Sequence, residues 1–201
     1  MKIAALVAAA GASRRMGSPK ALLELDGEPI VAGLLRALID AACFPIVVTV
    51  PAPPADVAVR QAVAGFACQA VANAHPALGL SGSVLTALEL MTSLPDALLL
   101  CPVDMPFVTA ELVHALRDGL LARPGALAAV PVVRGQRGHP CLFGAPALHP
   151  LARCHLLPEG PRSLLEAGAD VVEVAWDDGR VLSNWNEPKD LVPGVRPPVG
   201  R

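Results

Sequence analysis

Uninterrupted apolar runs alternate along this chain with stretches whose apolar residues recur every three or four positions. Residues 3–9, 45–50, 66–72, 97–101, 127–132, 140–143 and 171–175 form the runs and predict strands. Helical spacing predicts a helix opened by Pro29, with Leu34, Leu35, Leu38 and Ile39 on one face. It also predicts a short helix over 55–64, one over 83–91, and one capped by Thr109 and running to about residue 121. Residues 73–81 read as a Gly-containing loop. Strands without polar alternation, separated by helices, imply an α/β chain with a mostly parallel sheet covered on both faces. No repeat or linker interrupts it, so a single domain is expected over residues 1–192, with 193–201 as a flexible tail. Ligands of such sheets sit beyond the carboxyl ends of the strands. That rule directs attention to residues 11–20, 73–83 and 102–106.

The first of these stretches is rich in groups that bind anions. Gly11 and Gly17 permit a turn whose N–H groups point outward, Ser13 adds a hydroxyl, and Arg14, Arg15 and Lys20 add positive charge. This combination suits a polyphosphate. It is neither a Walker A loop, since Gly17 stands three residues before Lys20, nor a dinucleotide fingerprint, which needs Gly at Ser13. After the apolar run at 97–101, Asp104 is a single carboxylate projecting at the same sheet edge. Two readings stay open for it: an Mg²⁺ ligand completed by phosphate oxygens, or a turn aspartate capping its own backbone. Asn184 and Asn186 alternate along an extended stretch and should point the same way. They could complete a magnesium site or simply form a turn before Pro188. His114, His149 and His155 lack ligand-like partners, Asp177-Asp178-Gly179 reads as a solvated turn, and Trp176 and Trp185 read as core.

Composition removes several functional classes. Of the 201 residues 53% are hydrophobic and 17% charged, so the chain is not disordered. The net charge of −2 gives no basic excess for a nucleic-acid backbone or an anionic membrane. With 3% aromatics and no Tyr, base-stacking platforms are not expected. The mean hydropathy of +0.51 raises the membrane question. The apolar runs are nonetheless broken by Arg14 and Arg15, or by Pro45, Pro51, Pro53 and Pro54, before reaching the ~20 residues that a span needs. Lys2 followed by residues 3–10 imitates a signal peptide, but the run is short and cleavage there would destroy the anion-binding loop. Five cysteines, an odd number without a CxxC pair, predict reduced core thiols and a cytoplasmic protein.

The run Ala8-Ala9-Ala10-Gly11-Ala12-Ser13-Arg14-Arg15-Met16-Gly17 with Lys20 resembles the opening signature of the MobA-like NTP transferases. Pro102-Val103-Asp104-Met105-Pro106 resembles their Asp-x-Pro segment. Gly138-His139-Pro140 and the Asn-x-Asn-x-Pro pattern at 184–188 are similar to later motifs, in family order along nearly the whole chain. The resemblance implies a Rossmann-like three-layer α/β/α fold of the nucleotide-diphospho-sugar transferase type. It also implies Mg²⁺-dependent transfer of a nucleoside monophosphate from an NTP to a phosphate-bearing acceptor, with release of pyrophosphate. Carried over, Gly11, Ser13, Arg15 and Lys20 would cradle the triphosphate, with Arg15 and Lys20 stabilising the leaving pyrophosphate. Ala9 and Ala10 would belong to the nucleotide site, and Gly82 and Ser83 would lie beside base and ribose. Asp104 would bind Mg²⁺, Asn186 would be its second contact, and His139 would sit on the acceptor side. The Ala-Ala-Gly variant resembles the molybdenum-cofactor cytidylyltransferase branch, which implies CTP, a molybdopterin acceptor, and a molybdoenzyme or its chaperone as recipient. That branch often carries Asp where this chain has Asn184 and Asn186. The alternatives are guanylyl transfer, a sugar-phosphate or methylerythritol-phosphate acceptor, and a non-catalytic nucleotide-binding maturation protein.

Overall fold

The computed structural model describes residues 1–11, 13, 16–166 and 168–197. The chain begins with β1 (Ile3–Ala8), the small hairpin β2 (Glu24–Leu25) and β3 (Glu28–Pro29), helix α1 (Ile30–Asp40) and β4 (Ile46–Val50). It continues with α2 (Val57–Val63), β5 (Gln69–Ala72), α3 (Gly79–Glu89), β6 (Ala97–Pro102) and α4 (Ala110–Ala122). Then come β7 (Ala128–Val133), β8 (Gln136–Arg137), β9 (Cys141–Gly144), α5 (Ala145–Leu151) and β10 (Val171–Ala175).

The main sheet runs β10-β7-β9-β6-β1-β4-β5, with β8 paired to β7. β1 is parallel to both β4 and β6, whereas β9 is antiparallel to β6 and β7. The reversal has a local cause. Arg134 (φ 49°) and Gly135 (φ 77°) make a two-residue hairpin turn after β7, and the chain re-enters the sheet in the opposite sense. From β1 the chain winds outward through β4 and β5, then returns to place β6 on the other side of β1. The carboxyl ends of β1 and β6, with Ala8 opposite Pro102, therefore form a topological switch point.

Successive side chains of the central strands feed opposite faces, so every position of β6, and every position of β1 but Ala8 at its end, is buried. Ile3, Ala5, Val7, Leu99 and Cys101 pack into one layer with Leu34, Leu35 and Leu38 of α1 and Leu112 and Leu116 of α4. Ala4, Leu6, Leu98 and Leu100 pack into the other with Val84 of α3 and Leu148 of α5. Thr109 caps α4 as expected, its hydroxyl accepting from Leu112 N at 3.2 Å. Four expectations need correction. α3 starts at Gly79 rather than 83, because residues 76–78 already form a helical turn that leads into it. β5 starts at Gln69, since a turn after α2 occupies residues 64–68. Ile39 lies on the shoulder of α1, 39% exposed, rather than on its buried face. The tail expected to be free is held at its start: Glu24 and Arg196 exchange two backbone hydrogen bonds of 2.9 Å, satisfying the open edge of the small hairpin. All five cysteines are free, and among the described residues no helix is long and apolar enough to cross a membrane.

Candidate active site

Two cavities open at the switch point. The first, about 710 Å³, is lined by Ala10, Gly11, Ser13 and Lys20 after β1, and by Asn73 and Ser83 beneath the loop that precedes α3. The second, about 670 Å³, is lined by Arg137, His139, Cys141, Phe143, Arg162 and Asn184. Asp104, Pro102 and Leu80 line both, so Asp104 stands on the wall between them.

The loop after β1 is clipped by its own serine. Ser13 adopts φ 46°, and its Oγ accepts from Lys20 N at 3.0 Å while donating to Gly11 O at 3.4 Å. This fixes the root of the Lys20 side chain. The Lys20 ammonium then donates to Asp104 Oδ2 at 3.1 Å and to Asn186 Oδ1 at 2.8 Å, with its side chain only 13% exposed. Three residues separated by up to 166 positions thus share one point. The Asp104 carboxylate faces this ammonium, which decides against the reading of a turn aspartate capping itself.

The C-terminal segment is bolted in place by Trp185. Its ring is fully buried and meets Phe107 edge-on, with centroids 5.4 Å apart and an 85° angle between planes. Its backbone N–H donates to Asp104 O at 2.8 Å. Asp190 Oδ2 accepts from Glu187 N at 2.8 Å and from Asn186 N at 3.0 Å, and these bonds, that from Glu187 foremost, hold its carboxyl below the usual range. The turn before Pro188 is therefore closed by Asp190, which leaves the Asn186 side chain to Lys20. Because residues 183–187 form no strand, Asn184 and Asn186 do not point the same way but line different cavities.

In the second cavity burial depresses the His139 imidazole below its ordinary value; Asp104 opposes that shift and Arg162 adds to it. His139 Nδ1 lies 3.8 Å from Cys141 Sγ, a thiol that burial pushes up to about 12. This cysteine is a neutral neighbour rather than a nucleophile.

The donor set around Lys20 tests the fit of a metal. One carboxylate and one amide oxygen converge on a single cation, the hard-oxygen chemistry that Mg²⁺ and Mn²⁺ take, with phosphate and water oxygens completing the shell. Among the described residues no group of three His, Cys, Asp or Glu could hold a metal alone.

The MobA-like NTP transferase domain matches residues 5–172, most of the chain. The chain belongs to that family. Structural comparison finds Rv0371c from Mycobacterium tuberculosis H37Rv at 25% identity and TM-score 0.77, covering 94% of this chain and 95% of that one. A complex of the same mycobacterial protein with manganese matches at 23% identity and TM-score 0.73, over 94% and 96%. The nucleotidyl transferase Mth528 from Methanothermobacter matches at 22% and 0.76, over 94% of each chain. A CMP:2-keto-3-deoxy-manno-octonic acid synthetase complexed with CTP shares the fold at 16% identity and TM-score 0.71, over 94% and 95%. Among curated proteins, comparison of sequences finds no match.

Against this MobA-like frame most expected site residues come together. Ala10, Gly11, Ser13, Lys20, Ser83, Asp104 and Asn186 line the first cavity, and His139 lines the second. Two do not reach it. Ala9 turns into the core, 5% exposed, because strand alternation sends its neighbours Ala8 and Ala10 outward instead. Gly82 lies under the loop, where a Cβ would stand 2.0 Å from His75 O. Arg15 lies outside the described residues. Sequence reading missed Asn73, whose Oδ1 accepts from His75 N at 2.9 Å and from Thr86 Oγ1 at 3.2 Å, and whose Nδ2 donates to Ser83 Oγ at 3.4 Å. It also missed Asp190. A single Asn at a strand end and a single Asp after Pro188 carry no distinguishing pattern.

Proposed function

We propose that the protein is a Mg²⁺-dependent nucleotidyltransferase that moves CMP from CTP to a phosphate-bearing small molecule of the molybdopterin type. The observation that carries this reading is the position of Asp104 on the shared wall of two cavities, facing Lys20 and Asn186 on the nucleotide side. A nucleotide in the first cavity and an acceptor in the second would meet at that wall. The acceptor phosphate oxygen bonds to the α-phosphorus, the bond from that phosphorus to the bridging oxygen breaks, and pyrophosphate leaves with the electron pair. The reaction requires positioning and charge neutralisation more than proton transfer, which agrees with the absence of a nucleophile–base pair among the described residues of the site.

In this scheme the backbone after β1 and the Lys20 ammonium bind the outer phosphates, and Arg15 is assigned to the same task from the sequence motif. Asp104 and Asn186 would hold the metal, which when bound neutralises phosphate charge. His139, held neutral by burial, would donate or accept a hydrogen bond at the acceptor. The polar lining beneath the loop before α3 suits a base and ribose, and the Ala10 methyl, which borders the first cavity, favours the smaller pyrimidine. A CTP complex among the proteins of this fold supports that choice. The product would pass to a molybdoenzyme or its chaperone. Pyrophosphate release from each of the four NTPs, with and without molybdopterin, tests the reading. Release with CTP that depends on the acceptor is expected; GTP equal to or better than CTP would move the protein to guanylyl transfer.

A further inference from the structure

We propose that Lys20 is a built-in stand-in for the metal, so that the divalent cation and the triphosphate bind strongly only together. The proposal rests on the nucleotidyltransferase reading and adds to it an order imposed on the ligands. In the free protein the Lys20 ammonium is bonded to Asp104 Oδ2 (3.1 Å) and Asn186 Oδ1 (2.8 Å), the same two oxygens assigned to the cation. The pair is largely withdrawn from water, with side-chain exposures of 13% for Lys20 and 26% for Asp104, so its mutual attraction is less screened than at an open surface.

Charge decides the consequence. The described ligand set carries one negative charge, on Asp104, and Lys20 already neutralises it. A metal ion arriving alone must expel an ammonium and leave it without a partner in a partly buried cavity. A triphosphate changes this balance. It gives the ammonium new anionic partners and gives the metal further oxygen ligands. The displacement is short in structural terms, because Gly11, Ser13 and Lys20 line one cavity and the Lys20 backbone stays clipped to Ser13 Oγ at 3.0 Å. Only the four-carbon stem needs to swing. By thermodynamic reciprocity, the triphosphate then tightens metal binding by the same factor by which metal tightens triphosphate binding.

The test measures Mn²⁺ binding by electron paramagnetic resonance, without nucleotide and with saturating CTP, after correcting for Mn²⁺ held by free CTP. Wild type, Lys20→Met, Lys20→Arg and Asp104→Asn are compared. Couplings between paired ligands commonly span about 5–150-fold. Without nucleotide, Lys20→Met is therefore expected to bind Mn²⁺ at least about five-fold more tightly than wild type, and its CTP-dependent gain to shrink accordingly. Lys20→Arg, which keeps a cation in place, should stay near wild type, and Asp104→Asn should bind Mn²⁺ weakly in both conditions. If Lys20→Met fails to fold, Lys20→Gln supplies the same comparison. Unchanged or weaker nucleotide-free Mn²⁺ binding in the neutral variant, beside CTP-dependent Mn²⁺ binding in wild type, overturns the stand-in role and leaves the nucleotidyltransferase reading intact. Wild type that binds neither Mn²⁺ nor CTP, alone or together, overturns both.

Discussion

Gly82→Ala is expected to destabilise the protein although it replaces glycine inside a helix. Gly82 is the fourth residue of α3, and at an open helical position the exchange gains about 1 kcal/mol from propensity. Here the new Cβ would lie 2.0 Å from His75 O and 2.9 Å from His75 C, both backbone atoms. A normal carbon–oxygen contact exceeds 3 Å, so the helix and the loop at residues 73–78 must separate by more than 1 Å. That loop cannot yield freely, since Asn73 Oδ1 holds His75 N and Thr86 Oγ1 ties Ala74 N to α3. Overpacking against backbone belongs at the upper end of the usual range, about 3 kcal/mol. Subtracting the propensity gain leaves a net loss of about 2 kcal/mol, or a Tm lower by about 4–8 °C for a domain of this size. The control is Gly33→Ala in α1, where nothing lies within 4 Å of the added methyl and the same exchange should stabilise by about 1 kcal/mol. Thermal and urea unfolding followed by circular dichroism measures both. CTP titration of the folded Gly82→Ala protein should also show weakened binding, because Asn73 on the loop and Ser83 on α3 both line the first cavity and are moved apart. A Gly82→Ala protein as stable as wild type would refute the close-approach argument.

Asp104→Ala should abolish acceptor-dependent pyrophosphate release and lower stability by about 1–3 kcal/mol in urea unfolding without unfolding the protein, since it leaves the largely buried Lys20 ammonium with Asn186 Oδ1 as its remaining partner among those described; retained turnover would remove Asp104 from the site. Trp185→Ala empties a fully buried position and should lose about 3–5 kcal/mol in urea unfolding; a loss below about 1 kcal/mol would show that the C-terminal segment is not held by this ring. His139 has a folded-state value below its ordinary 6.5, so the unfolded chain takes up the proton first and stability is lost as pH falls from 6.5 through the folded value. His139→Gln should therefore lose less stability than wild type between pH 7.5 and 5, and parallel curves would refute the assignment. Ala10→Gly should raise GTP use modestly in initial-rate comparisons, by the ~1–3 kcal/mol that a methyl-sized change in a pocket commands.

The architecture was legible in the sequence because it depends on local periodicity. Short apolar runs without polar alternation, bounded by turn residues, favour strands, and those at the centre of the sheet, β4 and β6, are buried on both faces, with the helices between the runs as covering layers. The loop from Gly11 to Lys20, Asp104 after its strand, and the Thr109 cap follow from the same local rules; among the described residues Gly11, Ser13, Lys20 and Asp104 line one cavity, and Thr109 caps α4. What tertiary structure alone decided is which of these loops meet, and in what sense. No pattern in the sequence announces that β9 runs antiparallel between β6 and β7, which follows from the hairpin at Arg134-Gly135. Nor does one announce that Ala9 faces the core while Ala10 faces the cavity, a matter of where β1 ends relative to its neighbours. Gly82 reads from sequence as part of a ligand loop, and only the carbonyl of His75 above it shows a packing role. Lys20, Asp104 and Asn186 are the clearest case. Each is an ordinary polar residue where it stands in the chain, and their shared point exists because the switch between β1 and β6 and the burial of Trp185 bring three distant segments to one sheet edge. Local patterns encode which elements form; long-range packing sets the few ångströms on which the chemistry depends.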